Sequence, residues 1–369
     1  MFTICIAIQT GYALYFFARI FLLKTQPTGL PISERHFVSI IICAKNEALN
    51  LKKNLPIVLS QQYNDEIGVA MYEVLVVNDA STDDTKEVLQ EFKKQYHNLR
   101  EIVIEPGEER TYQGKKFALS RGIARVRNEW LVLTDADCMP SSDSWLENMV
   151  TPLAHGKEIA AGYGGYNKTV GLLNAFIRWE TLHTFLQYST YAMAGKPYMA
   201  VGRNLACTKG ILLKAQRTNI WNKLPSGDDD LLVGTMANAY NTGIVCNKQS
   251  FTYSGAKENW GDWLKQKQRH LSTGKYYKSG VKILLGLYAI SHALIWIGLF
   301  VLMFTGFWKA ILLFMLVRCI VYWGLWTVTA KRLKEESLIY LFPLFDLSWV
   351  FYNFALAPYI LWKNKKQWT

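Results

Sequence analysis

Four apolar segments, each near the length needed to cross a lipid bilayer, constrain this chain more than any other feature. They lie at about residues 2–23, 283–304, 309–330 and 338–362. A transmembrane helix needs about 20 largely apolar residues, so each segment is long enough to span a membrane. The first segment has no basic start and no small-residue cleavage site, and we expect a retained helix rather than a secretory signal. The sequence therefore predicts an integral membrane protein.

Basic residues lie close to the ends of these segments. The chain has 369 residues and a formal net charge of +12. Nine basic residues flank the segments: Lys275, Lys278, Lys282, Lys331, Arg332, Lys334, Lys363, Lys365 and Lys366. This distribution favours membrane lipids as partners over nucleic acid, for which no binding motif is present. The positive-inside rule places the large middle region in the cytosol, and we expect a plasma or inner membrane. Six scattered cysteines without a C-x-x-C pair agree with a reducing compartment.

The last apolar segment conflicts with that topology. Four full crossings would put the basic tail at 363–369 on the opposite side from the middle region. Pro343, Asp346 and Pro358 interrupt the segment, so a broken, re-entrant or interfacial element is the alternative to a full span. We therefore expect one N-terminal and two to three C-terminal membrane helices.

Strand and helix patterns alternate through the middle of the chain. Three apolar runs are typical of buried strands: "HFVSIIICAKNE", "YEVLVVND" and "WLVLTDADCMP". We expect the helix after the second run to start at Ser81 and Thr82, with two aspartates in its first turn. Strand, turn and helix in repeated order predict an α/β fold with a mostly parallel sheet. Ligands of such sheets bind outside the carboxyl ends of the strands.

Polar side chains stand where these strands end. They are Asn46, Glu47, Asp79, Asp135 and Asp137. Asp135 and Asp137 are two residues apart in an extended stretch, so both can face one hard cation, Mg²⁺ or Mn²⁺. Asp79 fits either an Asx-turn or a hydrogen bond to a base or ribose. Lys115 either contacts phosphate oxygens or is solvated surface. Because no Gly-rich phosphate loop is present, bound phosphates would depend on a metal and side chains.

Three adjacent aspartates, Asp228, Asp229 and Asp230, follow Gly227 and precede an apolar run. A neighbouring negative charge raises the pKa of a carboxyl group, so three adjacent aspartates require an explanation. The simplest is a helix start, where the cap and the helix dipole favour acids.

The order of motifs resembles the family 2 glycosyltransferases, especially membrane-integrated hyaluronan, chitin and cellulose synthases. The motifs are "VSIIICAKNEALNL", "VLVVNDASTDDT", "GKKFALSRGI", "LVLTDAD", "GDDDLLVG" and "QKQRH". The resemblance implies a GT-A fold, a nucleotide-sugar donor, a divalent metal and inversion at the anomeric carbon. We expect an N-terminal helix at 1–24, the GT-A domain at 36–275, membrane segments at 283–362 and a basic tail at 363–369.

The resemblance also implies roles for single residues. Asp79 contacts the nucleotide, Asp137 ligates the metal with Asp135 beside it, and Lys115 lies near the donor. The "GDD" element supplies the base that takes the acceptor's proton. Asp229 is the expected base, and Asp228 is the alternative because the third acid permits two registers.

Two further segments resemble family motifs on the acceptor side. "QKQRH" places Gln266 and Arg269 as in Q-x-x-R-W, with His270 where Trp is usual, which puts polymer-type acceptor handling in doubt. Arg269 is the expected partner of the diphosphate, because its planar guanidinium matches oxyanions. His270 either hydrogen-bonds an acceptor or fills space. Arg203 and Asn204 lie in a segment resembling one near the acceptor.

The leading hypothesis is a membrane-bound inverting glycosyltransferase using a nucleotide-sugar, expected to be a UDP-sugar, and a lipid-linked or polysaccharide acceptor. A non-catalytic membrane-anchored partner subunit that binds sugar nucleotides is the second hypothesis, although the candidate base and metal acids are all present. A small transporter is the third, because Arg19, Arg318 and Asp346 lie in apolar segments.

Overall fold

The computed structural model describes residues 1–24, 29–221 and 227–361, and side chains through residue 357. Within these ranges the chain forms two compact units. The helical unit contains Met1–Lys24, Lys168–Tyr198 and the described residues from Lys257 to Leu361. The α/β unit contains the described residues of Thr25–Asn167 and Met199–Ala256. The expected basic tail at 363–369 lies outside the described residues.

The elements follow in chain order. The strands are β1 (Val38–Ala44), β2 (Tyr72–Asp79), β3 (Leu99–Ile104), β4 (Trp130–Asp135), β5 (Met139–Pro140), β6 (Ile159–Ala161), β7 (Gly164–Tyr166), β8 (Leu205–Thr208), β9 (Thr242–Ile244) and β10 (Thr252–Ser254). The α-helices are α1 (Phe2–Tyr15), α2 (Ala48–Leu59), α3 (Thr85–Gln95), α4 (Lys115–Arg125), α5 (Trp145–Ala154), α6 (Leu172–Met193), α7 (Lys209–Gln216), α8 (Asp228–Met236), α9 (Trp260–Leu271), α10 (Ser279–Leu302), α11 (Trp308–Arg332) and α12 (Phe342–Leu361).

A seven-stranded sheet forms the centre of the α/β unit, in the order β3-β2-β1-β4-β8-β6-β9. The first four strands in that order are parallel, and β8 runs antiparallel to both of its neighbours. Parallel strands covered on both faces are apolar throughout, and β2 is buried along its whole length. The structure confirms the predicted α/β fold with a mostly parallel sheet. A second, three-stranded sheet has the order β5-β10-β7.

The strand register brings the predicted polar residues to one edge of the large sheet. Cys43 near the end of β1 is opposite Val77 of β2 and Asp135 of β4. Since β1, β2 and β4 are parallel, their carboxyl ends meet at this edge, which is where ligands of α/β sheets bind.

The helix after β2 begins later than the sequence pattern predicts, at Thr85 instead of Ser81 and Thr82. Those two residues make turn contacts: the Ser81 hydroxyl accepts from the Asn46 amide at 3.0 Å, and the Thr82 amide donates to Asn46 Oδ1 at 2.8 Å. Asp83 then accepts from the backbone of Thr85 at 3.1 Å. Side chains that satisfy turn groups in this way compete with helix formation.

Among the described residues, four helical stretches of the helical unit are long and apolar enough to cross a membrane. They are Phe2–Leu22, Ser279–Leu302, Trp308–Arg332 and Glu336–Ala357. The prediction of one N-terminal and up to three C-terminal membrane helices is confirmed. The last segment is not broken, because α12 is continuous through Pro343, which lies in its first turn where proline is tolerated.

Helices α6 and α9 pack within the helical unit, although both lie inside the expected GT-A range of 36–275. Glu180 of α6 forms an ion pair with Lys267 of α9, and the Tyr352 hydroxyl of α12 donates to Glu180 at 3.3 Å. Both Glu180 and Lys267 are buried. The compact units therefore do not follow a single boundary along the chain, and the domain ranges stay a prediction.

The buried charges of the membrane-type helices are paired with one another. Asp346 accepts from two guanidinium nitrogens of Arg318, one of them at 3.0 Å, and from His292 Nε2 at 2.8 Å. All three side chains are buried. Arg19 instead is partly exposed and donates to the Tyr15 carbonyl at 2.9 Å. Mutual pairing therefore accounts for the burial of Arg318 and Asp346.

Candidate active site

Asp135 and Asp137 lie together at the carboxyl end of β4. One ligand atom from each of Asp135, Asp137 and Cys138 lies within 4.8 Å of the others. Burial raises the pKa of Asp137, and the neighbouring charge of Asp135 adds to this rise. Carboxylate oxygens suit Mg²⁺ and Mn²⁺, so the two aspartates fit a hard divalent cation.

Cys138 supports this pair as a hydrogen-bond donor. Its thiol donates to Asp137 Oδ1 at 3.3 Å. Burial, together with the charge of Asp137, raises the pKa of the Cys138 thiol well above its usual range. The thiol therefore stays protonated, whereas a thiolate is the form that ligates metals.

Lys115, the first residue of α4, forms an ion pair with Asp135. Burial alone would lower the pKa of Lys115, but the carboxylates of Asp135 and Asp228 raise it well above the usual value. Lys115 therefore stays charged next to both acidic clusters. The structure thus brings together the metal acids, the lysine expected near the donor, and the "GDDD" element.

The three aspartates of that element occupy the first turn of α8, as the helix-start interpretation predicts. Gly227 precedes them with φ +81°, a left-handed conformation that glycine adopts without strain. Asp229 Oδ2 accepts from the Gly202 amide at 2.5 Å. Burial, reinforced by the charge of Asp228, raises the pKa of Asp229 to about 6. A carboxylate with that pKa suits proton acceptance near neutral pH.

Asp79 is fully buried at the end of β2 and is paired with a residue that the sequence patterns did not identify. Arg110 donates to Asp79 Oδ1 at 2.5 Å and to Oδ2 at 3.2 Å. Arg110 Cζ also lies 5.2 Å from the centroid of the Phe117 ring. Whether Asp79 serves in an Asx-turn or contacts a base or ribose, its carboxylate is also bound to Arg110.

Asn46 and Glu47 lie at the end of β1, but their side chains differ in environment. Asn46, with φ +56°, contacts the Thr82 backbone described above. Glu47 Oε2 accepts from Asn50 Nδ2 at 2.6 Å. Burial raises the pKa of Glu47, and the charges of Asp137 and Asp135 add to the rise. Glu47 is therefore part of the electrostatic environment of the metal acids.

Arg203 and Asn204 both connect elements of the α/β unit. The Arg203 guanidinium donates to the Gly164 carbonyl and lies 4.2 Å from the centroid of Tyr166. Asn204 is fully buried and uses its amide to join Trp145, Tyr163 and Ser250, at distances of 2.7 to 2.9 Å. Contact of either residue with an acceptor stays a prediction.

Gln266, Arg269 and His270 lie on α9 in the helical unit. Arg269 Nη2 and His270 Nε2 are 3.4 Å apart. Asn259 caps this helix by accepting from the Asp262 amide at 2.9 Å. Their predicted roles toward diphosphate and acceptor are not tested by this arrangement.

Sequence reasoning missed four contributors to the site: Arg110, Lys116, Cys138 and Gly202. Arg110 lies in a loop without periodicity, and the Gly202 contribution is a backbone amide, for which side-chain patterns carry no signal. Cys138 directly follows the D-x-D pair, and this adjacency could have identified it from the sequence.

Two models of known protein families match this chain. The model of glycosyl transferase family 2 matches residues 39–200, and that of glycosyl transferase family group 2 matches residues 130–361. The chain belongs to the family 2 glycosyltransferases. Family membership confirms the sequence resemblance.

Curated relatives match parts of this glycosyltransferase. The probable glycosyltransferase YdaM of Bacillus subtilis is 25% identical over 73% of this chain and 62% of its own length. The beta-monoglucosyldiacylglycerol synthase of Nostoc sp. is 32% identical over 34% of this chain and 25% of its own. The chain thus covers less than two thirds of the length of either relative.

A solved structure confirms the GT-A fold. The mannosyltransferase PcManGT from Pyrobaculum calidifontis, in complex with GDP-Man and Mn²⁺, superposes with a TM-score of 0.57 at 19% identity. The match covers 95% of this chain and 99% of that one.

Proposed function

We propose that this family 2 enzyme is a metal-dependent, inverting transferase that moves a sugar from a nucleotide-sugar, a UDP-sugar by preference, to a lipid-linked or polysaccharide acceptor. The observation that carries the proposal is that Lys115 interacts with two acidic clusters. One is Asp135 with Asp137, and the other is Asp228 with Asp229. Direct displacement needs a base toward the acceptor and charge stabilisation toward the leaving diphosphate.

The charge balance of the cluster supports a divalent metal. The acids are Glu47, Asp135, Asp137, Asp228 and Asp229, and the cations among these groups are Lys115, Lys116 and Arg203. A nucleotide diphosphate adds further negative charge, so a cation is needed to hold it here. Asp135 and Asp137 would hold Mg²⁺ or Mn²⁺, and the bound ion would stabilise the charge of the departing diphosphate. The Mn²⁺ in the mannosyltransferase supports this choice.

Asp229 is the proposed base. Its contact with the Gly202 amide holds one carboxylate oxygen in place, and its raised pKa makes the ionised form a competent proton acceptor near neutral pH. As the acceptor hydroxyl attacks the anomeric carbon, its proton passes to Asp229 and the bond to the diphosphate breaks. Attack on the face opposite the leaving group inverts the configuration at the anomeric carbon. Asp228 remains the alternative base.

The donor site is proposed to include Asp79, Lys115, Asn46 and Glu47. Lys115 is charged beside the metal acids, and a lysine ammonium binds phosphate as a point charge. Arg269 has a planar fork that suits a diphosphate, and Gln266 and His270 accompany it on α9. Arg203 and Asn204 are proposed to contribute on the acceptor side.

Membrane-type helices support a lipid-linked acceptor. Four helices are long and apolar enough to cross a bilayer, and the Nostoc relative is named as a glycolipid synthase. We place the α/β unit in the cytosol, where nucleotide-sugars are supplied, and the helices in the plasma or inner membrane. A non-catalytic binding subunit would not need Asp229, and the intact base and metal acids favour catalysis.

A donor panel tests this function. The protein in a lipid nanodisc is incubated with UDP- and GDP-sugars and membrane lipid extract, with Mn²⁺ or with chelator. We expect metal-dependent release of nucleotide diphosphate from one donor. Donor binding without release from any of them would support the non-catalytic subunit instead.

A further inference from the structure

Two consecutive lysines begin α4, and their side chains go to different partners. Lys115 pairs with Asp135, as described above. Lys116 Nζ donates to the Trp221 carbonyl at 2.8 Å and lies 5.1 Å from the centroid of the Trp221 ring. Lys116 is 1% exposed and Trp221 is 0% exposed. A lysine is rarely buried to this extent unless its charge has partners.

The partners of Lys116 belong to the chain that precedes and forms the "GDDD" element. Burial lowers the pKa of Lys116 to about 8, while the nearby carboxylates of Asp228 and Asp229 oppose that decrease. Lys116 therefore faces both candidate bases and also holds the backbone at Trp221, seven residues before α8 begins at Asp228. Helix α8 itself packs against α7.

We propose that Lys116 is a positioning residue for the catalytic acids: its hydrogen bond fixes the backbone at Trp221, and its positive charge acts on the two acids at the start of α8, Asp228 and Asp229. This inference rests on the proposed function, in which Asp229 is the base. Lys115 would then serve the donor side and Lys116 the acceptor side. The first turn of one helix would in this way fix the two acidic clusters relative to each other.

The ionisation of Asp229 depends on the charged groups near it. Among the described residues these are Asp228 on its own helix and Lys115 and Lys116 on α4, with Asp135 of β4 paired to Lys115. Removing the Lys116 charge leaves Lys115 as the remaining cation of this set. The pKa of Asp229 should then rise, because an opposite charge that favoured ionisation is gone.

Two variants separate the two parts of the role. Lys116→Met loses both the hydrogen bond and the charge, while Lys116→Gln loses the charge and keeps a donor toward Trp221. We expect kcat to fall about 10-fold or more in Lys116→Met, with KM for the donor nearly unchanged. We expect the acidic limb of the pH–rate profile to move up by about 1 pH unit in both variants. Lys209→Met is the matched control, because Lys209 donates to the Val126 carbonyl at 3.1 Å, at the other end of α4.

Hydrogen exchange tests the positioning without any assay of transfer. In the full-length protein, peptides covering Gly227–Met236 should exchange faster in Lys116→Met than in wild type, Lys116→Gln or Lys209→Met. Unchanged exchange, kcat and pH profile in Lys116→Met would overturn the proposal. Loss of UDP binding in both Lys116 variants would also overturn it, because Lys116 would then stabilise the α/β unit as a whole rather than position the acids. If Lys116→Met exchanges faster but the wild-type protein transfers no sugar from any donor, the proposed function is refuted and the anchoring role of Lys116 stands.

Discussion

Arg110 contacts both carboxylate oxygens of Asp79, at 2.5 and 3.2 Å, and Asp79 is completely buried. The residue expected to contact the nucleotide is therefore already paired with a cation. We infer that the pair acts as one unit, in which Arg110 holds the Asp79 carboxylate in a fixed orientation for the donor.

Replacing Arg110 tests this unit. Arg110→Ala leaves a buried carboxylate without its main partner, so we expect a loss of stability of about 1–3 kcal/mol and weaker UDP binding. Arg110→Lys should be intermediate, because an ammonium does not reproduce two-point pairing. Thermal unfolding and calorimetric titration with UDP measure both effects. Tighter UDP binding by Arg110→Ala would show instead that Arg110 blocks the site.

Asp137 provides a test of the metal site. Asp137→Asn removes a carboxylate from the cation-binding pair, and we expect metal-dependent transfer to fall by about 100-fold or more with the unfolding temperature retained. Asp143→Asn changes an exposed acid just before α5 and serves as the control. Turnover equal to wild type in Asp137→Asn would remove Asp137 from the site.

The pH dependence of transfer follows from the environment of Asp229. Because burial and Asp228 raise the pKa of Asp229 to about 6, the base is protonated below that pH and ionised above it. We expect the rate to increase as pH rises through about 6 and then to level off. In Asp228→Asn the second cause of the shift is removed, so the acidic limb should move to lower pH. Loss of transfer at every pH in that variant would instead identify Asp228 as the base.

The charges of the membrane-type helices give a prediction about stability. Asp346→Asn leaves Arg318 buried without its counter-charge, and we expect a loss of about 3–5 kcal/mol. The double variant with Arg318→Met should recover part of that loss, since no unpaired charge remains. Thermal unfolding in nanodiscs measures both proteins. Unchanged stability together with loss of an ion or solute flux in liposomes would support the transporter hypothesis.

The sheet and its functional edge were predictable from sequence for a physical reason. Strands buried on both faces are continuous apolar runs, and β1, β2 and β4 each end at polar side chains that the parallel register brings together. The spacing of Asp135 and Asp137 carried the metal prediction, and the three aspartates correctly marked a helix start.

Other features depend on long-range contacts that no local pattern encodes. Lys115 and Lys116 are equivalent in sequence, and only their directions from the first turn of α4 give them separate partners. Helix α6 has a mixed composition and is less apolar than the candidate membrane helices. Its place in the helical unit depends on buried contacts such as the ion pair between Glu180 and Lys267. The start of α3 was misplaced because Ser81 and Thr82 bond to Asn46 across the turn.

Transfer by Asp229→Asn is the decisive experiment, made with the donor identified in the panel, with saturating metal and with donor affinity determined in parallel. We expect donor binding within about twofold of wild type and a rate lower by about 100-fold or more, because the acceptor's proton has no base to receive it. Transfer at the wild-type rate with normal donor binding would contradict the assignment of Asp229 as the base.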